Sequence, residues 1–151
     1  MANKDAAFGL RPIGKLGSNR EASGTTEYEI AACASALYQN HVVSASGAGI
    51  AVGAANQASA LMIGSLQGVF FTDATTGKPT FANNLKASNT ATDIKGFVTD
   101  DPFQLYEIQS DNSGASAQGD IGNNADIVVA AGAAPNYISK TELGDLSLIH
   151  I

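Results

Sequence analysis

Histidine occurs at His41 and His150, and imidazole is the side chain best suited to carry a proton or a zinc ion near neutral pH. Neither has a Cys, a second His or an acid at metal-ligand spacing, which argues against a zinc centre and a histidine base. Two adjacent carboxylates, Asp100-Asp101, directly precede Pro102. Asp before Pro initiates turns, so this pair reads as a solvated turn rather than an acid–base couple. The acids of Asp111-Asn-Ser-Gly114 and of Asp120-Ile-Gly-Asn-Asn-Ala-Asp126 lack the alternating oxygen spacing of a calcium loop. Gly47, Gly49 and Gly53 are followed by no GK[ST] step and no long helix, so they do not make a phosphate loop. Serine and threonine are abundant, but none has a base partner to activate it. The single cysteine, Cys33, permits no internal disulfide and reads as a small buried hydrophobe. The expectation is therefore a protein that is not an enzyme, with no catalytic, cofactor-binding or metal-binding residue and no cofactor.

The elements that would position such residues are short. From Ile63 to Gln109 four apolar runs recur: Val69–Thr72, Pro79–Phe81, Ile94–Thr99 and Gln104–Gln109. Turn chemistry bounds each of them, at 73–77, 82–84, 100–102 and 111–114. Short runs rich in Val, Ile, Phe, Tyr and Thr, punctuated this often, predict antiparallel strands. Within them Val69 and Phe71 share a face, as do Ile94, Gly96 and Val98, and Tyr106 and Ile108. Lys95 and Thr99 take the opposite face, with Glu107 and Gln109. A one-residue slip would reverse these faces, so the alternation specifies the register. Six of the ten aromatic side chains fall in this stretch, which predicts that the hydrophobic centre lies there.

Upstream, residues 1–24 carry glycines at 9, 14, 17 and 24 and a proline at 12, with Phe8, Leu10, Ile13 and Leu16 between them. Glycine this frequent breaks both periodicities and predicts an extended arm with apolar anchors. Thr25–Ile30 alternates cleanly, with Thr26, Tyr28 and Ile30 on one side, and predicts a half-buried strand. His41–Ser44 and Ile50–Val52 flank a Gly47-Ala-Gly49 turn and predict a hairpin. Ala31–Ala36 and Ala54–Ala60 are too short to nucleate helices. Downstream, 112–124 reads as a polar loop, Ile127–Val129 as a short strand, and Tyr137-Ile138 as a further apolar step.

Composition sets outer bounds. One domain fits 151 residues. Charged residues make up 15% against about 25% in an average domain, which fits equally a chain that hides surface against partners and one with an alanine-rich surface. In residues 1–20 four bases face only Asp5, a net +3, whereas residues 21–151 hold four bases and thirteen acids, a net −9. An acidic body opposes nucleic-acid binding, which needs a cationic face. No run approaches the ~18 apolar residues of a membrane span, and MANKDAAF lacks the apolar core of a secretory signal. No nucleic acid and no membrane are expected as partners, and the chain is expected to be made and kept in a soluble compartment.

The opening Met1-Ala-Asn-Lys-Asp-Ala-Ala-Phe-Gly-Leu-Arg-Pro12 resembles the start of small head decoration, or cement, proteins of tailed phages. The resemblance continues through Glu27-Tyr-Glu-Ile30, Tyr38-Gln-Asn-His-Val-Val43 and Ala48-Gly-Ile-Ala-Val52. It is clearest in Gly68-Val-Phe70 and in Ala91-Thr-Asp-Ile-Lys-Gly-Phe-Val-Thr-Asp-Asp-Pro-Phe103, followed by Tyr106-Glu-Ile-Gln109 and Asn124-Ala-Asp126. It covers most of residues 1–138. Where the family usually shows Gly-Asp-Pro-Val, this chain has Gln39-Asn-His-Val42.

The resemblance implies a virion protein made in the host cytoplasm and placed on the outer surface of the capsid, binding the major capsid protein and bridging its subunits. It also implies a homo-oligomer, with a trimer expected. The arm would then cross a capsid-subunit boundary, with Lys4, Arg11 and Lys15 meeting acidic patches while Phe8, Leu10 and Ile13 fill apolar pockets. The expected architecture is all-β and mainly antiparallel, a compact barrel or sandwich with few or no helices. Residues 1–24 form the arm and 25–151 the β domain, truncated at the C-terminus if closing strands follow Gly144 as the family resemblance implies. The alternatives are a head fibre or tail component, and a surface-displayed carbohydrate- or cell-surface-binding module.

Overall fold

The computed structural model describes residues 6–17, 24–30, 35–46, 49–52, 62–111 and 118–144. Among these described residues ten strands follow in chain order: β1 Arg11–Lys15, β2 Thr26–Glu29, β3 Val42–Ser46, β4 Gly49–Val52, β5 Met62–Thr72, β6 Pro79–Ala82, β7 Lys95–Thr99, β8 Gln104–Glu107, β9 Ile127–Val128 and β10 Glu142–Leu143. The helical part, among the described residues, is one 3-10 turn at Gln118–Asp120. The fold is all-β, and every ladder between named strands is antiparallel.

The largest sheet runs β2-β7-β5-β3-β4, and β6 pairs with β5 as well. One edge of β5 holds β7, while the other holds β3 along its first half and β6 along its second. The ends of this order come together: Ile30, just after β2, forms an antiparallel bridge with Gly49 at the start of β4. Gly49 sits at φ +114°, and a Cβ there would overlap the Glu29 carbonyl, so only glycine permits that approach. One bridge is not a ladder, so the sheet curls on itself without closing as a barrel among the described residues. Two small sheets complete the fold, β1–β8 and β9–β10.

The expected strands 69–72, 79–81, 94–99 and 104–109 are all present, as is the hairpin of β3 and β4. Strand β5 is much longer than its sequence suggests, beginning at Met62 rather than Val69. Two register shifts explain why. Ile63 is the extra residue opposite β3, and Gln67 the extra residue opposite β7. Each bulge breaks the period of two by which a strand is recognised. Gly64 adds to the disguise, because isolated glycine normally weakens a strand.

The core is aliphatic. Leu37, Val43, Leu66, Val69, Leu85 and Val98 have no exposed surface, and Ile30, Ile50, Ala91 and Ile94 join them. Each such Val, Ile or Leu contributes about 1.5–3 kcal/mol of burial. Tyr28 and Phe71 pack against this cluster from its margin. The aromatic-rich centre expected from the sequence is therefore corrected in one respect: Phe81 is 68% and Phe103 64% exposed. Leu37 and Leu85 lie outside every named strand yet are fully buried, and each donates its N–H to the other's carbonyl at 2.9 Å. Thr99, expected on the polar face beside Lys95, is buried where β7 meets β5.

Candidate docking surface

Strands β1 and β8 form a two-stranded ribbon whose register pairs Arg11 with Glu107, Pro12 with Tyr106, Gly14 with Leu105 and Lys15 with Gln104. Alternation divides it into two faces. Tyr106 and Gln104 turn towards the body, Gln104 buried and Tyr106 partly so. The outer face carries Leu105 and, at its ends, Glu107 and Phe103. Ile13 is the extra residue of a bulge in β1 and stands 55% exposed, and Leu16, which donates its N–H to the Phe103 carbonyl at 2.9 Å, is 61% exposed. Ile13, Leu16, Phe103 and Leu105 thus give the ribbon an exposed apolar stripe. The Arg11–Glu107 ion pair marks one end of it, and the Arg11 guanidinium lies 5.2 Å from the centre of the Phe8 ring. Both charged side chains are about half exposed, so the pair contributes at most about 1 kcal/mol to folding.

The inner end of the ribbon is firmly tied to the body. Leu10 is buried; its N–H donates to the Asn40 carbonyl at 2.9 Å, and its carbonyl accepts from Ser65 Oγ at 2.6 Å. Asn40 Nδ2 donates to the Phe8 carbonyl at 3.0 Å, and Asn40 itself adopts a left-handed backbone, which asparagine tolerates. Residues 8–16 are therefore a strand and its approach, built into the body rather than extending from it as an arm. Of the six residues proposed from sequence for docking, Lys4 lies outside the described residues. Leu10 fills this chain's own core, while Arg11 and Lys15 meet this chain's own Glu107 and Asp101. Phe8 is half-buried beneath Arg11, which leaves Ile13 as the apolar side chain turned outward.

Leu16 was named from sequence as an apolar anchor but not among the docking residues, and sequence reasoning missed Phe103 and Leu105. Leu105 and Phe103 alternate with Gln104 and Tyr106, and because both faces of β8 carry apolar residues, alternation alone does not say which face is buried. The packing of Gln104 and Tyr106 towards the body leaves Leu105 on the exposed face.

At the corner between β7 and β8 the Asp-Pro turn is formed as its sequence implies: Asp101 Oδ1 accepts the Phe103 N–H at 2.8 Å, and the Asp101 carbonyl accepts the Gln104 N–H at 3.0 Å. Lys15 Nζ lies 2.7 Å from Asp101 Oδ2. The ammonium first, and the Phe103 amide second, hold the Asp101 carboxyl below its ordinary range. Asp100 instead accepts from neutral donors, Thr26 Oγ1 at 2.9 Å and Tyr28 Oη at 2.7 Å. That bond raises the Tyr28 pKa, because it favours the protonated phenol. Tyr106 Oη donates to the Thr99 carbonyl at 2.7 Å, and burial, with the charges of Asp100 and Asp101 adding to it, pushes this phenol up to about 12. In a Lys15→Met variant the Asp101 pKa is expected to rise towards the ordinary carboxylate value, with the Phe103 amide retaining part of the depression. Carboxyl-carbon NMR titration measures it, and an unchanged Asp101 pKa would contradict the ion pair.

His41 is 2% exposed, and neither ring nitrogen has a hydrogen-bond partner among the described residues. Its ring stacks on Tyr38 at 5.8 Å between centroids. Burial pushes its pKa down to about 4, so the ring is neutral at pH 7. Among the described residues no group of three or more His, Cys, Asp or Glu is arranged to hold a metal ion. His150, Cys33, Gly47 and Gly53 fall outside the described residues.

The chain matches no family model, no curated protein and no solved structure.

Proposed function

We propose that this chain is a structural virion protein that binds the outside of a phage capsid and stabilises the head by bridging major capsid protein subunits. The observation that carries this reading is the apolar stripe Ile13, Leu16, Phe103 and Leu105, exposed on a ribbon whose inner face is anchored by Leu10. Exposed apolar side chains grouped on one rigid element mark a protein-binding surface more often than a free one. Low charge content and the resemblance of 1–138 to head decoration proteins support the same reading. Docking by a preformed strand also avoids the entropy of ordering a loose arm on binding. The family resemblance further suggests a homotrimer, which equilibrium sedimentation of the free protein would test.

Removing residues 2–16 would take Leu10 from the core and confound binding with folding. Ile13→Ser combined with Phe103→Ser is the cleaner test, because both side chains are exposed. Its folding stability is expected to stay within about 0.5 kcal/mol of the parent. Binding to bare, expanded heads, measured by cosedimentation, is expected to weaken about tenfold or more, as for a central apolar anchor. Undiminished binding would remove the stripe from the interface.

A second reading, a surface-displayed carbohydrate- or cell-surface-binding module, gains support from one observation. Phe81 on β6 is 68% exposed, its ring lies 5.7 Å from Phe97 on β7, and Phe70 stands opposite it in the ladder. Grouped aromatic faces are what a sugar-binding platform needs. Phe81→Ala should leave head binding intact under the first reading and abolish glycan or cell binding under the second.

A further inference from the structure

The inner end of the β1–β8 ribbon hangs on the turn formed by residues 38–41. The His41 N–H closes this turn onto the Tyr38 carbonyl at 3.1 Å, with Asn40 left-handed between them at φ 60°. Two bonds tie the turn to β5: the Asn40 N–H donates to the Leu66 carbonyl at 2.7 Å, and the Leu66 N–H to the His41 carbonyl at 2.9 Å. Two more tie it to the approach of β1, where the Leu10 N–H donates to the Asn40 carbonyl and Asn40 Nδ2 to the Phe8 carbonyl. Gly9 passes so close that a Cβ there would overlap the Asn40 carbonyl oxygen. The carbonyl that holds Leu10 belongs to the peptide group joining Asn40 to His41, so a backbone shift at His41 is felt directly at the ribbon.

The His41 ring is buried against Tyr38, and neither nitrogen has a hydrogen-bond partner among the described residues. A neutral imidazole in that site leaves one donor and one acceptor unused. An imidazolium would bury two donors and a full charge with nothing to receive them. The neighbouring segments offer no compensation. Residues 8–10 and 65–66 carry no titratable side chain, and residues 137–140, bonded to Gln39, bring Tyr137 and Lys140 but no carboxylate. Burial by itself lowers the His41 pKa, with no charged neighbour contributing. The ring therefore gains a proton readily only by leaving its site. Leu10 and His41 are also buried apart from the contiguous aliphatic cluster of the core, so this corner can open without dispersing that cluster.

We propose that His41 is an acid-sensitive latch, whose protonation opens the Tyr38–His41 turn and frees the inner end of the β1–β8 ribbon while the core stays folded. In the open form the ring regains its ordinary proton affinity. Each pH unit below 6.5 then favours opening about tenfold, down to about pH 4, where the closed form takes the proton as well. Opening leaves Leu10 with one bond from the body, the Ser65 hydroxyl on its carbonyl. Weaker docking by the apolar stripe in acid would follow and rests on the capsid-binding reading, whereas the latch itself does not.

Amide hydrogen exchange of the intact protein, expressed as protection relative to a free amide at the same pH, tests the latch without any variant. The Leu10 N–H reports the turn, and the Ile30 N–H, which donates to the Ile94 carbonyl, reports the core. Leu10 protection is expected to lie at least tenfold below that of Ile30 and to fall about tenfold per pH unit from pH 6.5 to 4.5. It should also be insensitive to dilute urea, because a local opening exposes little surface. Equal protection of the two amides at every pH would mean that the ring is freed only by global unfolding, and would overturn the latch. Leu10 protection that does not change with pH would overturn it as well. His41→Leu should abolish the pH dependence at Leu10. A slope that persists in that variant would assign the effect to the Arg11–Glu107 and Lys15–Asp101 pairs of the ribbon instead.

Discussion

Replacing Gly64 with alanine is expected to destabilise the protein by about 3 kcal/mol or more, beyond the usual cost of one added methyl group in a packed site. Gly64 lies in β5 between β3 and β7, and a Cβ there would overlap the Thr99 carbonyl, with the Asp100 Cα close behind. Those are backbone atoms. They cannot rotate away as a side chain does, so relief requires β5 and β7 to separate at the place where Ser65 pairs with Thr99. A domain of this size has a total stability of about 5–15 kcal/mol, so the loss would be visible in any urea titration. Gly119→Ala is the matched control. It adds the same methyl group in the 3-10 turn, where nothing lies within 4 Å, and should be neutral or stabilising by up to about 1 kcal/mol. A Gly64→Ala midpoint equal to that of the control would show that β5 does not approach β7 this closely.

The second large effect is on pH dependence. In the folded chain His41 takes a proton only near pH 4, whereas its unfolded value is 6.5. Above pH 6.5 the ring is neutral in both states and contributes nothing that varies with pH. Between 6.5 and about 4 the unfolded state binds the extra proton, so stability falls as pH falls. Below about pH 4 the loss is complete. The difference in proton affinity corresponds to roughly 3 kcal/mol across that window. Asp73, Asp93 and Asp101, whose carboxyls are held low by hydrogen bonds and nearby cations, lose their contributions at lower pH, from their unfolded values downward. Urea midpoints of the parent should therefore be level from pH 7.5 to about 6.5 and drop from there to pH 4, and a His41→Leu variant should remove most of that slope. Because leucine also removes two unpartnered buried nitrogens, the variant is expected to be no less stable than the parent at pH 7. An unchanged slope would mean that the ring is already charged, or solvated, in the folded chain.

The strands of the central stretch were legible because their signals are local. Ile94, Gly96 and Val98 alternate with Lys95, and Asp101-Pro102 and Asp73–Gly77 mark turns that close with the expected Asp side-chain bonds to Phe103, Thr75 and Thr76. Where locality failed, the reason was specific. Bulges at Ile63 and Gln67 erased the period of β5, and Leu37 and Leu85 owe their burial to each other across 48 residues rather than to any neighbour in sequence. Of the docking surface, Ile13 and Leu16 were legible as apolar anchors of the first segment, and only Ile13 as a docking residue. The rest of the stripe, and the fate of Leu10 and Lys15, depended on a partner strand that begins ninety residues away from Gly14.

By itself, then, the amino-acid order determined that this chain is antiparallel β, where its turns fall and which face of β2 and β7 is buried. Alternation and turn chemistry act over a few residues and need no knowledge of the partner. Only the tertiary structure decided that β1 belongs to the body and that the exposed apolar residues gather on one ribbon. Strand pairing is a contest among many edges of similar backbone, settled by packing over the whole chain, and no short window of residues carries that outcome.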